Sequence, residues 1–322
     1  PRSSMHKSSP LSVTSAPQGA RQARRNLAKQ TQQSKRAALV ESTRVFSSKS
    51  SADLLAGGSF GLGKGTAASG GGAPRICAVI DLAGGVAWDS IKAFEEDSEE
   101  EGIKPVPGRS SEEARKRGDA FCEVEATRFR RTIQFLPLPY GALYATLDGC
   151  KCADFVLFIL SSTRSIEPGS WGELCLRALQ SQGLPTVLIA VPTLHPSGQT
   201  GAGGSKKAGP IQRIANETRK SLLSFSRYFA PEVEKVHALD DKAERSALIR
   251  TLATSTPRRV AWRDFRAWSV SEKAEWVASE ADGSQGTLKV EGWIRGAPMS
   301  AQRLVHLPDF GDFPLRKITY AP

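Results

Sequence analysis

The stretch GSFGLGKGT at residues 58–66 nearly matches a phosphate-binding loop. The Walker A pattern is Gly, four residues of any type, and then Gly-Lys followed by Ser or Thr. Gly58, Gly63 and Lys64 fit this spacing, but Gly65 stands where the hydroxyl belongs and the threonine comes one position late. A phosphate loop also needs a buried strand before it and a helix after it, because the helix N-terminus supplies backbone N–H donors.

Neither of these neighbours is predicted around the stretch. Residues 47–73 are rich in Ser, Gly and Ala, a composition typical of a linker, and no apolar strand precedes Gly58. The glycine-rich residues that follow do not favour the start of a helix. We therefore interpret the similarity to Walker A as a coincidence of composition.

The positive charge of the chain is concentrated before this linker. The 322 residues include 44 basic and 33 acidic side chains, which gives a formal net charge of +11. Residues 1–50 contain ten Lys or Arg and a single acid, Glu41, so most of the net charge belongs to an N-terminal arm. Arms of this kind typically bind polyanions, most often nucleic acid.

A helix is predicted within this arm. Residues 20–45 contain neither Gly nor Pro and are rich in helix formers. At about 100° per residue, six basic side chains share one face of that helix. These candidate RNA-binding residues are Arg21, Arg24, Arg25, Lys29, Lys35 and Arg36. A helix whose charged face is merely solvated is the alternative, but the near absence of acids favours one that folds on a polyanion.

Apolar runs alternate with helical segments from residue 74 to residue 258. Buried strands are predicted at 75–82, 154–160, 184–194 and 234–240, two adjacent strands at 121–139, and helices between them. The segment from the acidic run 95–101 to about Ala120 is predicted to be a solvated loop, and residues 195–209 a surface loop. This order predicts a doubly wound α/β domain with a mostly parallel sheet.

The sequence changes character after Pro257. Short alternating segments such as GTLKVEGWIRG predict antiparallel strands, and we expect the start of a β-barrel domain that is incomplete at residue 322. The predicted organisation is therefore a basic arm at 1–46, a linker at 47–73, a doubly wound α/β domain at 74–258 and the start of a barrel at 259–322.

An α/β domain followed by a β-barrel is the layout of translational GTPases, so the loops of that fold can be located in order. After the first strand, the phosphate loop would span residues 83–90, with Ala83 and Trp88 at the glycine positions, Asp89 at the lysine position and Ser90 retained. Trp88 places a ring where the backbone must approach phosphate, and Asp89 places an anion where a cation should lie. The sequence predicts that these four residues bind no nucleotide.

The other two diagnostic loops also lack the residues that bind magnesium and guanine. Residues 136–139, Leu-Pro-Leu-Pro, stand where Asp-x-x-Gly should reach the magnesium ion, and residues 192–195, Pro-Thr-Leu-His, stand where Asn-Lys-x-Asp should bind guanine. We therefore expect a GTPase-like fold without GTPase activity, with no catalytic residue and no cofactor.

The remaining composition indicates the class of protein. Five cysteines with no disulfide or zinc spacing are predicted to be reduced, buried thiols rather than metal ligands, so no metal is expected. The sequence shows no signal peptide and no apolar run of about 18 residues, so a soluble intracellular protein is expected.

Several stretches resemble the Tsr-type ribosome assembly factors (the "twenty S rRNA accumulation" family), GTPase-like proteins related to the Bms-type GTPase. The stretches that carry this resemblance are ARRNLAKQTQQSKR, GCKCADFVLFILS, VHALDDKAERSALIRTLATSTPRRVAWRDFRAW and GTLKVEGWIRGAPMSAQRLVHLPDFGDF. The resemblance covers most of residues 20–322 except the Gly-rich inserts, and the part from RRVAWRDFRAW to GTLKVEGWIRG is the most specific.

The resemblance implies a role without catalysis. Such proteins occupy the intersubunit face of the precursor small ribosomal subunit, block premature joining of the large subunit and of initiation factors, and travel from the nucleolus to the cytoplasm. The implied partners are precursor rRNA, ribosomal proteins and other assembly factors, with no membrane and no homo-oligomer, and the six basic residues of the arm would insert among rRNA helices. The alternatives are an active GTPase that uses residues 58–66 as an unorthodox loop, and a basic-armed RNA-binding module outside ribosome assembly.

Overall fold

The computed structural model describes residues 73–95, 102–194, 210–258, 260–278 and 285–319. The basic arm, the linker with its GSFGLGKGT stretch and the insert at 195–209 lie outside the described residues. The interpretations of those segments therefore stay predictions, as do the domain boundaries.

A seven-stranded sheet forms the centre of the described α/β region, in the order β2-β3-β4-β1-β5-β6-β7. The neighbours from β4 to β7 run parallel, whereas β2 and β3 are antiparallel at one edge. The strands are β1 Arg75–Asp81, β2 Ile103–Pro105, β3 Cys122–Ala126, β4 Arg131–Leu138, β5 Phe155–Ile159, β6 Thr186–Val191 and β7 Val236–Ala238. The predicted α/β fold class is confirmed.

Helices cover both faces of this sheet, which explains why the central strands are almost continuously apolar. The helices are α1 Ala87–Glu95, α2 Ser111–Arg117, α3 Leu143–Cys152, α4 Trp171–Gln182, α5 Pro210–Phe229, α6 Lys242–Thr254 and the short α7 Ala261–Asp264. On one face, Phe94 of α1 and Leu248 of α6 pack in a buried cluster with Phe135 of β4. On the other face, Leu176 of α4 and Phe229 of α5 pack in a second cluster.

Helix α4 is capped by Ser170 and approaches the end of β1. The Ser170 side chain accepts a hydrogen bond from the Glu173 N–H at 3.5 Å, and the Glu173 carboxylate accepts from the Gly169 N–H at 2.7 Å. In the first turn, a Cβ added at Gly172 would lie 2.6 Å from the carbonyl oxygen of Leu82. Glycine at this position therefore lets the helix N-terminus pack directly on the loop that follows β1.

The predicted solvated loop up to Ala120 is wrong, because that segment contains β2 and α2. The Ser110 side chain accepts from the Glu113 N–H, and the Glu113 carboxylate accepts from the Ser110 N–H, which forms a capping box. The helix ends at Gly118, which adopts a left-handed conformation with φ of 76°. The Ser-x-x-Glu spacing is visible in the sequence, but the acidic run before it favours the interpretation as a loop.

Antiparallel strands follow the α/β region, as predicted. They are β8 Ala267–Trp268, β9 Ser271–Ala278, β10 Gly286–Gly292, β11 Arg295–Gly296, β12 Leu304–Leu307 and β13 Gly311–Pro314. Within the described residues they form three two-stranded ribbons, β9 with β10, β8 with β11 and β12 with β13, rather than a closed barrel.

A buried ion pair joins these strands to the sheet. The Arg295 guanidinium lies 2.8 Å from the Asp154 carboxylate, and each side chain is only 14% exposed. Asp154 also accepts a hydrogen bond from the Ile76 N–H of β1 at 3.0 Å. The same carboxylate therefore links β1, the start of β5 and β11.

A tryptophan between two arginines completes this junction. The ring centroid of Trp268 lies 5.1 Å from the guanidinium carbon of Arg263 and 5.5 Å from that of Arg295. Arg263 is itself buried and donates to the carbonyl oxygens of Lys151 and Ala153, at the C-terminal end of α3. The C-terminal end of a helix favours cations, and the ring face of Trp268 attracts them, so both arginines stabilise the contact between the two regions.

Removing one partner of the Asp154–Arg295 pair should destabilise the whole fold. We expect Arg295→Ala to lower the free energy of unfolding by about 3 kcal/mol, because it leaves the Asp154 charge buried and unpaired. Chemical denaturation of the full chain measures this loss. The matched control is Lys289→Ala, which breaks an exposed pair with Glu275 at 3.7 Å and should have a much smaller effect. Equal losses in the two variants would contradict the assignment of the junction.

Candidate functional site

The carboxyl ends of β1, β4, β5 and β6 meet at one edge of the sheet, where doubly wound folds bind their ligands. Residues 82–86 form the loop after β1, and α1 begins at Ala87. The predicted phosphate-loop position, residues 83–90, therefore spans this loop and the first turn of α1. In a functional phosphate loop, backbone N–H groups at this place point at phosphate oxygens.

Two N–H groups of this loop are bound to a carboxylate of the chain itself. Asp81 is the last residue of β1 and is only 7% exposed. Its Oδ1 atom accepts hydrogen bonds from the Ala83 N–H at 2.8 Å and from the Gly85 N–H at 2.9 Å. A carboxylate thus takes the role that a phosphate oxygen has in a nucleotide site. Two like charges about 4 Å apart repel by about 4 kcal/mol near a protein surface, so this anion opposes the entry of phosphate.

Two glycines shape the loop around the carboxylate. A Cβ added at Gly85 would lie 2.3 Å from the Asp81 Oδ2 atom, so a larger residue would push the carboxylate away. Gly84 has φ of +84°, a conformation that other residues rarely adopt. The Leu82 N–H donates to the Ile159 carbonyl at 3.0 Å, which anchors the start of the loop to β5. The loop is therefore fitted to a carboxylate within the protein.

The four residues predicted as the degenerate site have different surroundings. Ala83 is half-buried and supplies one of the two N–H donors to Asp81. The Trp88 ring is half-buried and packs against the apolar cluster beneath α1. The Asp89 carboxylate is exposed and lies 3.2 Å from the Arg115 guanidinium of α2, and Ser90 is buried. The sequence predicted that Trp88 and Asp89 oppose nucleotide binding. In the structure, the residue that accepts hydrogen bonds from the loop is Asp81.

Asp81 could have been found in the sequence only as a weak signal. An acidic residue at the end of a buried strand, followed by Leu-Ala-Gly-Gly, favours a turn in which the carboxylate accepts from nearby N–H groups. The pattern does not say which N–H groups are bound or that Gly85 must admit the carboxylate. Those facts required the backbone geometry of the loop.

Aromatic and apolar side chains occupy the other two loop positions. Leu136 and Pro137 lie inside β4, and Tyr140 follows that strand with its ring on Trp171, at 4.5 Å between the centroids. A Cβ added at Gly84 would lie 3.8 Å from the Tyr140 ring, so this ring borders the loop after β1. These contacts place the Tyr140 ring, which packs on Trp171, beside the loop after β1.

The described residues at the position of the guanine-binding loop are Pro192, Thr193 and Leu194. Pro192 follows β6 and is exposed, whereas Leu194 is buried and its N–H lies 3.4 Å from the Asp240 carboxylate. His195, the last residue of the predicted tetrapeptide, lies outside the described residues. The described part of this loop therefore presents no side-chain carboxylate of its own towards a base.

The cysteines behave as core side chains. All five are free thiols, and four are buried while Cys152 is half-buried. Burial raises the pKa of the Cys175 thiol to about 12, so this thiol is protonated at neutral pH. Among the residues that the structure describes, no group of three His, Cys, Asp or Glu side chains could hold a metal ion. No helix in the described ranges is long and apolar enough to cross a bilayer.

The predicted RNA-binding residues of the arm lie outside the described residues. They are Arg21, Arg24, Arg25, Lys29, Lys35 and Arg36. Their assignment therefore continues to rest on the sequence.

Two solved structures of translation factors have a low overall similarity to the chain. The bacterial selenocysteine-specific elongation factor EF-Sec aligns with a TM-score of 0.42 at 15% identity, over 74% of this chain and 38% of its own. The elongation factor SelB of Methanococcus maripaludis, in complex with the GTP analogue GppNHp, aligns with a TM-score of 0.38 at 10% identity, over 72% and 44%.

Curated relatives are more similar in sequence. The ribosome biogenesis protein tsr1 of Schizosaccharomyces pombe is 29% identical over 300 residues, which covers 93% of this chain and 32% of that protein. The pre-rRNA-processing protein TSR1 homolog of Homo sapiens is 34% identical over 178 residues, which covers 55% of this chain and 20% of that protein. The chain therefore spans about a third or less of the length of these relatives.

Family models match nearly all of the α/β region and the strands that follow. The model of the Tsr1 G-like domain matches residues 75–254, more than half of the chain, and the model of the AARP2CN (NUC121) domain matches residues 256–322. The match of the G-like domain lies on the same sheet and helices that carry the loop around Asp81. The resemblance stated from the sequence is thus confirmed, and the chain belongs to the Tsr1 family.

Proposed function

We propose that this chain acts in ribosome biogenesis by binding the precursor of the small ribosomal subunit. We further propose that its GTPase-like domain contributes its shape to this binding and does not hydrolyse GTP. Membership of the Tsr1 family and the names of the curated relatives, a ribosome biogenesis protein and pre-rRNA-processing proteins, support the first part. Because the chain spans only part of those relatives, the activity and partners of the whole protein belong to the proposal.

The observation that carries the second part is the position of the Asp81 carboxylate. GTP is held in GTPases by loop N–H groups, a lysine and a magnesium ion that together neutralise its phosphates. Here the N–H groups of Ala83 and Gly85 are already bound to Asp81, and the lysine position is Asp89. The phosphates of a nucleotide would have to displace the buried Asp81 carboxylate and approach the Asp89 carboxylate. This loop supplies no cation that would neutralise them.

A domain of this kind has no nucleotide-driven switch. In GTPases, contacts of switch segments with the γ-phosphate and its magnesium ion form with GTP and break on hydrolysis. The Asp154–Arg295 pair and the Trp268 contacts in addition hold the following strands against the sheet. A fixed GTPase-like shape suits a factor that covers the intersubunit face of the precursor, where it would block the large subunit and initiation factors from joining early.

Binding to RNA is assigned to the basic arm. Six cations on one predicted helical face, without an aromatic side chain for base stacking, favour contacts with phosphates. Precursor rRNA, ribosomal proteins and other assembly factors are the proposed partners. The nucleolus and nucleus, with passage to the cytoplasm, are the proposed locations.

The full chain should show no saturable binding of fluorescently labelled GTP with a Kd below about 1 mM, which corresponds to about 4 kcal/mol. The physical reason is the competition between phosphate and the Asp81 carboxylate for the same N–H donors. Titration in the presence of magnesium measures it, with circular dichroism as the control for folding. Micromolar affinity would instead favour an active GTPase with an unorthodox loop.

Variants of Asp81 test its structural role separately. Asp81→Ala should lower the free energy of unfolding by about 2 kcal/mol, because two N–H groups lose their acceptor. Asp81→Asn should cost less, since the amide oxygen can still accept from Ala83 and Gly85. Thermal and chemical unfolding of the two variants measure the difference. If alanine and asparagine were equally tolerated, the hydrogen bonds would not be what holds the loop.

Association with the precursor should depend strongly on salt. With about six phosphates neutralised, affinity should fall by a factor on the order of 10³ or more between about 50 and 200 mM salt. The triple variant Arg24→Ala, Arg25→Ala and Lys29→Ala should co-sediment less with small-subunit precursors and show a shallower salt dependence. Unchanged co-sedimentation and a flat salt response would exclude the arm as the main anchor.

A further inference from the structure

The turn between β3 and β4 presents three arginines to solvent. The turn consists of the 3₁₀ segment Thr127–Phe129 and Arg130, and β4 starts at Arg131. Arg128, Arg130 and Arg131 are all exposed. Within the part of the chain that the structure describes, none of their guanidinium groups pairs with a carboxylate. We call Arg128, Arg130 and Arg131 the arginine turn.

The backbone of the arginine turn is held firmly. The Thr127 N–H and its hydroxyl both donate to the Gly102 carbonyl, at 2.7 Å and 2.8 Å. Phe129 lies between the arginines in sequence and packs against the apolar cluster of the sheet. Arg130 has a left-handed backbone with φ of 51° and ψ of 48°, a conformation that is uncommon in residues other than glycine. Three cationic side chains therefore project from one rigid, anchored turn.

The neighbouring strand adds to the positive charge. Arg75 begins β1 and pairs in register with Ile133, two residues after Arg131 in β4, so both arginines point to the same face of the sheet. Burial, and then the positive charge of Arg131, hold the pKa of Arg75 below its ordinary value. Arg75 is itself engaged, since it donates to the Leu252 carbonyl at the end of α6 at 2.8 Å. Arg131 thus faces another cation, which favours an external anion as its partner.

The described part of the chain segment that carries the turn exposes no large apolar side chain. In the described ranges, no large hydrophobic side chain between residues 87 and 139 is exposed; the nearest in sequence are Val86 and Tyr140. Protein–protein interfaces are typically centred on buried apolar and aromatic side chains. Contacts with a phosphate backbone need only cations and N–H donors, and the guanidinium fork fits phosphate oxygens bidentately.

We propose that the arginine turn is a second RNA-binding surface, on the body of the protein, which contacts phosphates of precursor rRNA. The inference rests on the proposed function for the identity of the RNA. It differs from the basic arm because its cations are positioned on a folded hairpin before RNA arrives. The body therefore adds its own phosphate contacts and fixes the orientation of the GTPase-like shape on the RNA.

A charge-matched pair of variants of the full chain tests this surface. The arginine-turn variant is Arg128→Gln, Arg130→Asn and Arg131→Gln, with asparagine at the left-handed position because it tolerates that backbone. The control variant removes three exposed arginines that already pair with Asp89, Asp119 and Glu173, namely Arg115→Gln, Arg117→Gln and Arg177→Gln. Both sets are made in the wild-type background and in the Arg24/Arg25/Lys29→Ala background, and thermal unfolding verifies folding.

Binding to a transcribed fragment of small-subunit precursor rRNA is measured by filter binding at several salt concentrations. The arginine-turn variant should bind about tenfold or more weakly, and its slope of log affinity against log salt should be shallower by about two to three, because each phosphate that is no longer neutralised reduces the slope by about one. The control variant should keep a slope close to that of the parent. Polyglutamate is added as a competitor that represents an acidic protein.

Each outcome bears on one of the two proposals. A slope that the arginine-turn variant leaves unchanged in both backgrounds overturns the inference, while RNA binding that depends on the arm leaves the proposed function standing. The inference is also overturned if the arginine-turn variant binds RNA as its parent does but is no longer affected by polyglutamate. That result would favour an acidic protein partner. If the wild-type chain binds no precursor RNA at low salt, the proposed function fails together with the inference.

Discussion

The hydrogen bonds from the Ala83 and Gly85 N–H groups to the Asp81 carboxylate hold the loop at the carboxyl edge of the sheet. Backbone N–H groups in a turn before a helix are a general anion-binding device, and each needs an acceptor when it is partly buried. In this chain the acceptor comes from the end of β1 itself. Two N–H groups of the loop are therefore satisfied without phosphate, and Gly85 leaves the carboxylate the space it occupies.

The surrounding helices and strands pack around the loop and the sheet. Gly172 lets α4 pack against Leu82, and the Tyr140 ring packs at a tilt on Trp171 beside Gly84. At the start of β5, the Asp154–Arg295 pair ties the antiparallel strands to the sheet. These interactions tie α4, the loop after β1 and the antiparallel strands to the sheet through contacts within the protein. A nucleotide-driven switch would need contacts that form and break at the same places.

Much of the fold could be predicted from the sequence, because its signals were local. The apolar run at 75–82 indicated a buried strand, which the structure has as β1. The prediction was wrong at α2, where the capping pair Ser110 and Glu113 was present but short helices carry little periodicity. The strands after Pro257 were predicted as antiparallel, and this is confirmed, although the described ladders are separate ribbons.

The candidate site was predictable only in part. The positions of the three diagnostic loops followed from the order of strands, and the loss of their motif residues could be read directly. The role of Asp81 could not be predicted, since it depends on distances between one carboxylate and two N–H groups that no spacing rule supplies. The order of the strands thus located the loop, whereas the backbone geometry showed that Asp81, rather than Trp88 or Asp89, accepts hydrogen bonds from its N–H groups.

Amide hydrogen exchange at Ala83 and Gly85, followed by NMR with and without millimolar GTP and magnesium, tests the central claim most directly. If Asp81 holds these N–H groups, both amides exchange slowly in the nucleotide-free protein and GTP leaves their rates unchanged. Rapid exchange that slows when GTP is added would show that the donors are available to phosphate, and it would contradict the closure of the site by Asp81.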